Sequence, residues 1–283
     1  MREKNTQRNT SIEMLRVIAT LFVIYLHYIW MSGAYSYVDD GTLNEFVLIV
    51  GKSISACAVN LFILITGYYA YQRYAVDLMK VVRLIFQVIL FSVVAYLVSA
   101  FFGNGSFQVQ DFLIRCLPVN WFVILYSALY VLIPFINRMR DALTQSARNV
   151  LMIVVVCLCF IWPTVVDLLQ ALSGKELHGL STISYEGSLE GYSIVQFVAM
   201  FLMGRFLRDK TWVCKASMKK LTTSLGFVWL SLVLWMWFGR NDAIGSVSGS
   251  YSNPLVVALA VLVFLLFLNM KKSPPTWVNH IAK

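Results

Sequence analysis

Apolar runs of about twenty residues recur along almost the whole chain, and no other feature limits its fold so severely. A helical run of that length matches the ~30 Å of hydrocarbon in a bilayer. Eight such runs fall at about 12–33, 46–71, 79–102, 120–137, 149–169, 191–208, 221–240 and 254–270. Together they leave no room for a separate soluble domain. Backbone polar groups in lipid need partners within their own segment, so the runs are predicted to be helices. The strands of an outer-membrane barrel would be short and alternating, and these runs are long and continuous. Hydrophobic types make up 59% of the residues and charged types 13%, against ~25% charge in an ordinary soluble domain. That excludes a disordered chain, a nucleic-acid module and a soluble α/β enzyme. The predicted fold is all-α, a polytopic integral membrane bundle of about eight transmembrane helices.

The charges orient this bundle. With the N-terminus placed in the cytoplasm, eighteen of the 23 lysines and arginines fall on the cytoplasmic side. They include Arg2, Lys4 and Arg8, then Arg73, Lys80 and Arg83, then Arg138, Arg140 and Arg148. The group from Arg205 to Lys220 and then Lys271, Lys272 and Lys283 complete them. Only Arg115, Lys175 and Arg240 fall opposite, and Arg16 and Lys52 lie within spans. This asymmetry is the positive-inside pattern, and it places both termini in the cytoplasm. The opposite loops carry Asp39, Asp40, Glu45, Asp111, Glu176, Glu186, Glu190 and Asp242. The net charge of +9 therefore reflects topology and not a docking surface, and no nucleic-acid partner is implied.

The first run is too long for a signal peptide and contains Arg16 and His27, so no cleavage is expected. The five cysteines, Cys57, Cys116, Cys157, Cys159 and Cys214, lie mostly in or near apolar runs without metal spacing and are read as reduced packing residues. Three histidines are too few and too scattered to argue for zinc, and no metal is expected. The longest outer connections, 171–190 and 103–119, either shape an outward-facing site or serve as solvated linkers.

Arg16 and His27 are the most informative polar pair. Eleven residues at 100° each bring both side chains to one helix face, ~16.5 Å apart along the axis. Ionisable groups at such depth are costly and usually face an interior or a pathway. An arginine near the cytoplasmic entrance suits a phosphate or carboxylate. A neutral imidazole suits proton abstraction from a hydroxyl. The pantetheine arm of coenzyme A spans a similar distance, so a groove along this face would hold phosphates near Arg16 and a thioester near His27. The competing reading is structural, with Arg16 snorkelling and His27 bonding another helix. Glu13, at i−3 from Arg16, either pairs with it or serves as a first-turn charge.

Further polar groups lie in the other spans. Asn60 needs a partner inside the bundle, and Gly67 permits close helix contact or a local break. Lys52 is expected to reach the outer surface or to meet an anionic substrate. Trp121 and Tyr126 are either interfacial belt residues or the lining of a sugar site. Gln87 and Gln196 are interior hydrogen-bonding candidates.

The segment IEMLRVIATLFVIYLHY at 12–28 resembles the first-span signature of the membrane acyltransferase 3 family. NLFILITGYY at 60–69 is similar to that family's second span, with Thr66-Gly67 where a Ser-Gly step is usual. NWFVILYSALYVLIPFIN, GYSIVQFVAMFLMGRFLR and YSNPLVVALAVLVFLLFLNMKK resemble its later segments. The resemblance covers residues 10–283 and implies one membrane-embedded domain over 1–283. It implies transfer of an acyl group, acetyl first, from cytoplasmic acyl-coenzyme A. The acceptor would be a hydroxyl of a surface polysaccharide, a lipid-linked glycan or peptidoglycan. Arg16 would assist the donor and His27 would stand at the transfer step, with Glu13, Asn60, Trp121 and Tyr126 as supporting candidates. Family members resemble ten-span proteins, and this chain stops before a ninth span, so a C-terminally shortened form is expected. The setting implied is a bacterial inner membrane. Two alternatives remain: an exporter of an anionic or glycan substrate, or an inactive remnant. Absence of an inverted repeat or of paired broken spans weighs against the exporter.

Overall fold

The computed structural model describes residues 9–103 and 107–270, except for the side chains of Trp212 and Cys214. The basic residues expected at both termini and the cysteine side chain at 214 lie outside the described residues. The regular elements are all helical. In chain order they are α1 (Thr10–Ser32), α2 (Leu43–Ser55), α3 (Ala58–Tyr69), α4 (Leu78–Phe102), α5 (Val109–Arg115) and α6 (Trp121–Asp141). They continue with α7 (Gln145–Val156), α8 (Trp162–Ser173), α9 (Ile194–Arg208), α10 (Met218–Phe238), α11 (Ala243–Ser248) and α12 (Pro254–Leu268). A π-helical turn at Cys157–Ile161 joins α7 to α8, and short 3₁₀ turns lie at Ala34–Tyr37, Leu189–Gly191 and Thr211–Lys215.

Six stretches among the described residues are long and apolar enough to cross a membrane: Thr10–Ser32, Leu43–Tyr69, Leu78–Phe102, Trp121–Asp141, Gln145–Ser173 and Met218–Phe238. The sixth and eighth runs of the sequence reading form shorter helices, α9 and α12, of 15 residues each. That length covers only ~22 Å. Ser193 and Asn253 cap these helices through their side chains, at Gln196 N and Leu255 N respectively. Ser193 starts α9 three residues inside its apolar run, whereas Asn253 starts α12 where its run begins. Local signals set other ends too. Asn9 caps α1 at Ser11 N, and Gly33 ends that helix in the left-handed region at φ 62°. Asn120 caps α6 at Val123 N.

The chain divides into two compact units, residues 1–69 with 148–283 and residues 70–147. In the first, α3 and α9 run parallel at backbone contact. A Cβ on Gly67 would lie 2.3 Å from the Phe201 carbonyl oxygen, and one on Gly204 would lie 2.4 Å from the Leu64 carbonyl oxygen. Gly67 is thus a packing glycine inside a continuous helix, as in small-residue crossings generally. Around the crossing, Leu61, Leu64, Phe197, Phe201 and Phe264 are fully buried. The interruption between α2 and α3 lies instead at Ala56 and Cys57. In the second unit, α4 packs against α5 and α6. Asn137 is completely buried there, and its amide donates to the carbonyls of Ala70 and Arg73.

The packing role expected of the cysteines holds for Cys57, which is free and buried. Cys116 and Cys157 are exposed and Cys159 is half-buried, so they do not serve as core packing residues.

Candidate functional site

α1 is unbroken from Thr10 to Ser32, so Arg16 and His27 stand on one face as the eleven-residue spacing predicts. The helix is amphipathic only over its first half. Ile12, Leu15 and Ala19 are buried, and the sector carrying Arg16 and His27 passes from half-buried at Arg16 to exposed at His27. Within its own unit this face is open. Large residues at the far end of α1 are also uncovered, among them Tyr28 and Trp30.

Glu13 is 5% exposed and its carboxylate lies 3.6 Å from the Arg16 guanidinium. The pair orients the arginine at the basic end of the unit. Tyr69, at the end of α3, lies in the electrostatic range of Arg208, Arg16 and Glu13. The Arg208 guanidinium stacks on the Tyr68 ring, 4.9 Å from its centroid. The Gly67–Gly204 crossing produces this cluster, because it presses the last turn of α9 against the last turn of α3. Arg208, Tyr68 and Tyr69 were not singled out in the sequence, where the arginine reads as one more positive-inside charge.

His27 Nδ1 lies 2.8 Å from the Val23 carbonyl oxygen. A carbonyl only accepts, so Nδ1 carries the proton and donates to it. In the neutral ring this leaves Nε2 as the basic nitrogen. The local i−4 contact therefore fixes the tautomer that proton abstraction requires.

The remaining candidates lie elsewhere. Asn60 is fully buried, donates to the Tyr251 carbonyl at 2.8 Å, and accepts from Gln196 Nε2 at 3.2 Å. Trp121 is partly exposed in the first turn of α6. Tyr126 and Gln87 line a cleft of about 230 Å³ in the second unit, with Lys80, Arg83, Ser127 and Tyr130. The hydroxyls of Ser127 and Tyr130 are buried without hydrogen-bond partners among the described residues. Such groups are costly unless a ligand or water meets them. Lys80 and Arg83 were read only as topology charges. Their i,i+3 spacing, which sets both on one face of α4, was the available signal.

A family model described as an acyltransferase domain matches residues 9–283. The chain belongs to the acyltransferase 3 family. Acyl transfer is thus the general chemistry of this membrane-embedded, multi-helix family. No curated protein and no solved structure matches the chain.

Proposed function

We propose that this acyltransferase 3 member moves an acyl group, acetyl first, from acyl-coenzyme A to a hydroxyl of a surface glycan or its precursor in a bacterial inner membrane. The observation that carries the reading is the α1 constellation within the family match: a carboxylate-oriented arginine and a tautomer-fixed histidine on one continuous face. Coenzyme A would bring its phosphates to Arg16, where the guanidinium supplies planar, permanently charged donors. The Lys80–Arg83 cleft is a second cationic site suited to the same chemistry.

His27 Nε2 takes the proton of the acceptor hydroxyl as its oxygen attacks the thioester carbonyl carbon. The new C–O ester bond forms, the C–S bond breaks, and the departing thiolate receives the proton from the imidazolium. No covalent acyl-enzyme is needed, and no nucleophile paired with a base suggests one.

The exporter reading draws on one observation, the short helices α9 and α12, which resemble the half-length helices of transporters. The two readings separate in one experiment. Membranes containing the chain are incubated with acetyl-coenzyme A labelled in its acetyl group. Acyl transfer gives label in a base-labile glycan ester, lost in Arg16→Ala; export gives glycan movement with no thioester consumed.

A further inference from the structure

The polar stretches before α9 and α12 re-enter the bundle of the first unit. The indole of Trp162 donates to the Leu180 carbonyl at 2.7 Å, and the Thr182 hydroxyl donates to the Leu158 carbonyl freed by the π-helical turn. Leu158 lies fifteen residues before the end of α8, ~22 Å along the axis. The chain then climbs back. Gln170 holds the Glu186 carbonyl at 3.1 Å, and Asp167 accepts from Ser188 N at 3.0 Å. The second stretch also goes deep. The Tyr251 carbonyl accepts from both Asn60 and Gln196 at 2.8 Å, and Tyr251 N donates to the Glu190 carbonyl at 2.9 Å. Asn60 stands seventeen residues beyond Leu43, roughly 25 Å below the outer end of α2. Irregular backbone at such depth is tolerated only where protein buries it or water reaches it.

Both conditions are met in different places. Ser248, Ser250, Ser252 and Asn253 are buried and satisfy one another and the backbone. Glu190 and Tyr192 are exposed. A carboxylate exposed at this depth cannot face hydrocarbon, so its surroundings are aqueous. Glu190 interacts electrostatically with Lys52, Tyr192 and Tyr251, and the two phenols are hydrogen-bonded to each other. The Lys52 ammonium stands 5.8 Å from the Tyr35 ring centroid. At the floor, Gln196 Nε2 donates to two acceptors, which fixes the amide orientation, and its buried Oε1 has no hydrogen-bond partner among the described residues. The backbone is also strained here. Leu189 and Glu190 both adopt positive φ, at 53° and 52°, a conformation that non-glycine residues hold only when their surroundings impose it.

We infer that this region is a water-filled vestibule, open to the outer side, in which Glu190, Tyr192 and Tyr251 recognise a neutral polyhydroxylated acceptor. The inference rests on the acyl-transfer reading and names the acceptor subsite within it. One lysine opposes one glutamate, so the pocket carries no excess charge to select an anion. Carboxylate and phenol oxygens accept from and donate to hydroxyl arrays, and tyrosine faces suit sugar rings. A floor at the level of Asn60 leaves nine residues of α3 on its cytoplasmic side, ~14 Å. An extended thioester arm bridges that distance, so an outer hydroxyl and a cytoplasmic donor meet without a full crossing by either.

The test uses the full chain with Cys116, Cys157, Cys159 and Cys214 replaced by serine. Single cysteines replace Glu190, Tyr192 or, as a control on the apolar surface of α10, Leu230. A membrane-impermeant maleimide added outside is expected to react with the first two and to spare the third. In parallel, Glu190→Gln in the otherwise native chain is assayed with oligosaccharides released from the expressing cell's surface polysaccharide. The acceptor KM is expected to rise on the order of tenfold, the cost of one charge-assisted hydrogen bond, with the KM for acetyl-coenzyme A unchanged. Silence of both cysteines toward the outside reagent overturns the vestibule. An unchanged acceptor KM, or a donor KM that rises instead, overturns the acceptor role. Labelling of the Glu190→Cys and Tyr192→Cys chains from outside, together with a wild-type chain that consumes no thioester, would sink the acyl-transfer reading while leaving the vestibule standing.

Discussion

Replacing Gly67 or Gly204 with alanine tests how the basic cluster is assembled. An added Cβ would lie 2.3 Å from a backbone oxygen in the first case and 2.4 Å in the second. Ordinary contact begins near 3.4 Å, so α3 and α9 must separate by about one ångström. The obstacle is helix backbone in both cases, and it cannot swing aside as a side chain does. Overpacking of this kind costs ~1–3 kcal/mol. Alanine also lowers the intrinsic helix cost by up to ~1 kcal/mol relative to glycine, so each variant should lose about 1–2 kcal/mol net. The two lesions share one remedy. Once the helices part for Gly67→Ala, Gly204→Ala finds space, and the double variant should lose clearly less than the sum. Gly226 provides the control, because nothing among the described residues lies within 4 Å of its added Cβ; Gly226→Ala should be neutral or stabilising. The assay is reversible unfolding in detergent, with acyl transfer from acetyl-coenzyme A measured on the same samples. Neutral single variants, or strict additivity in the double, would refute the close crossing as the origin of the Arg208–Tyr68 arrangement.

Asn60→Ala removes a fully buried amide and leaves Gln196 Nε2 with one partner fewer; a loss of ~1–3 kcal/mol is expected in the same unfolding assay. Tyr35 lies in the 3₁₀ turn after α1. Burial, reinforced by Tyr25 and Glu45, pushes its phenol up to about 12 from its ordinary value near 10. A raised folded pKa gives stability that is complete below the unfolded value and lost as pH rises toward the folded one. Unfolding measured from pH 9 upward should therefore show stability falling between about 10 and 12, and Tyr35→Phe should flatten that fall. The same variant removes a buried hydroxyl without a hydrogen-bond partner among the described residues, so it should be neutral or stabilising at pH 7.

The helices were legible because burial in lipid and helical length leave a simple mark on sequence. The observed α1, α4, α10 and α12 begin and end within a few residues of the apolar runs. Glu13 and Arg16 pair as i,i+3 neighbours, and Asn60 finds its partner inside the bundle, because both follow from local geometry or from the cost of an unmatched amide. The outer halves beside α9 and α12 were not legible. Their polar stretches read as loops, and their depth depends on partners such as Asn60 with Tyr251, 191 residues apart. Lys52 was expected to reach the outer surface or to meet an anionic substrate; it is half-buried, 5.8 Å from the Tyr35 ring centroid and in the electrostatic range of Glu190. Of the two roles open to Gly67, close contact and a local break, it serves contact, and the helix breaks where Ala56 and Cys57 turn.

In the proposed mechanism the His27 imidazole removes the acceptor proton. Single-turnover acyl transfer from labelled acetyl-coenzyme A by membranes bearing His27→Ala, at wild-type protein levels, addresses it most directly. General-base catalysis predicts a rate lower by ~10²–10⁴-fold, with donor binding retained. A rate within roughly twofold of wild type would contradict the claim, because a general base typically contributes ~10²-fold or more.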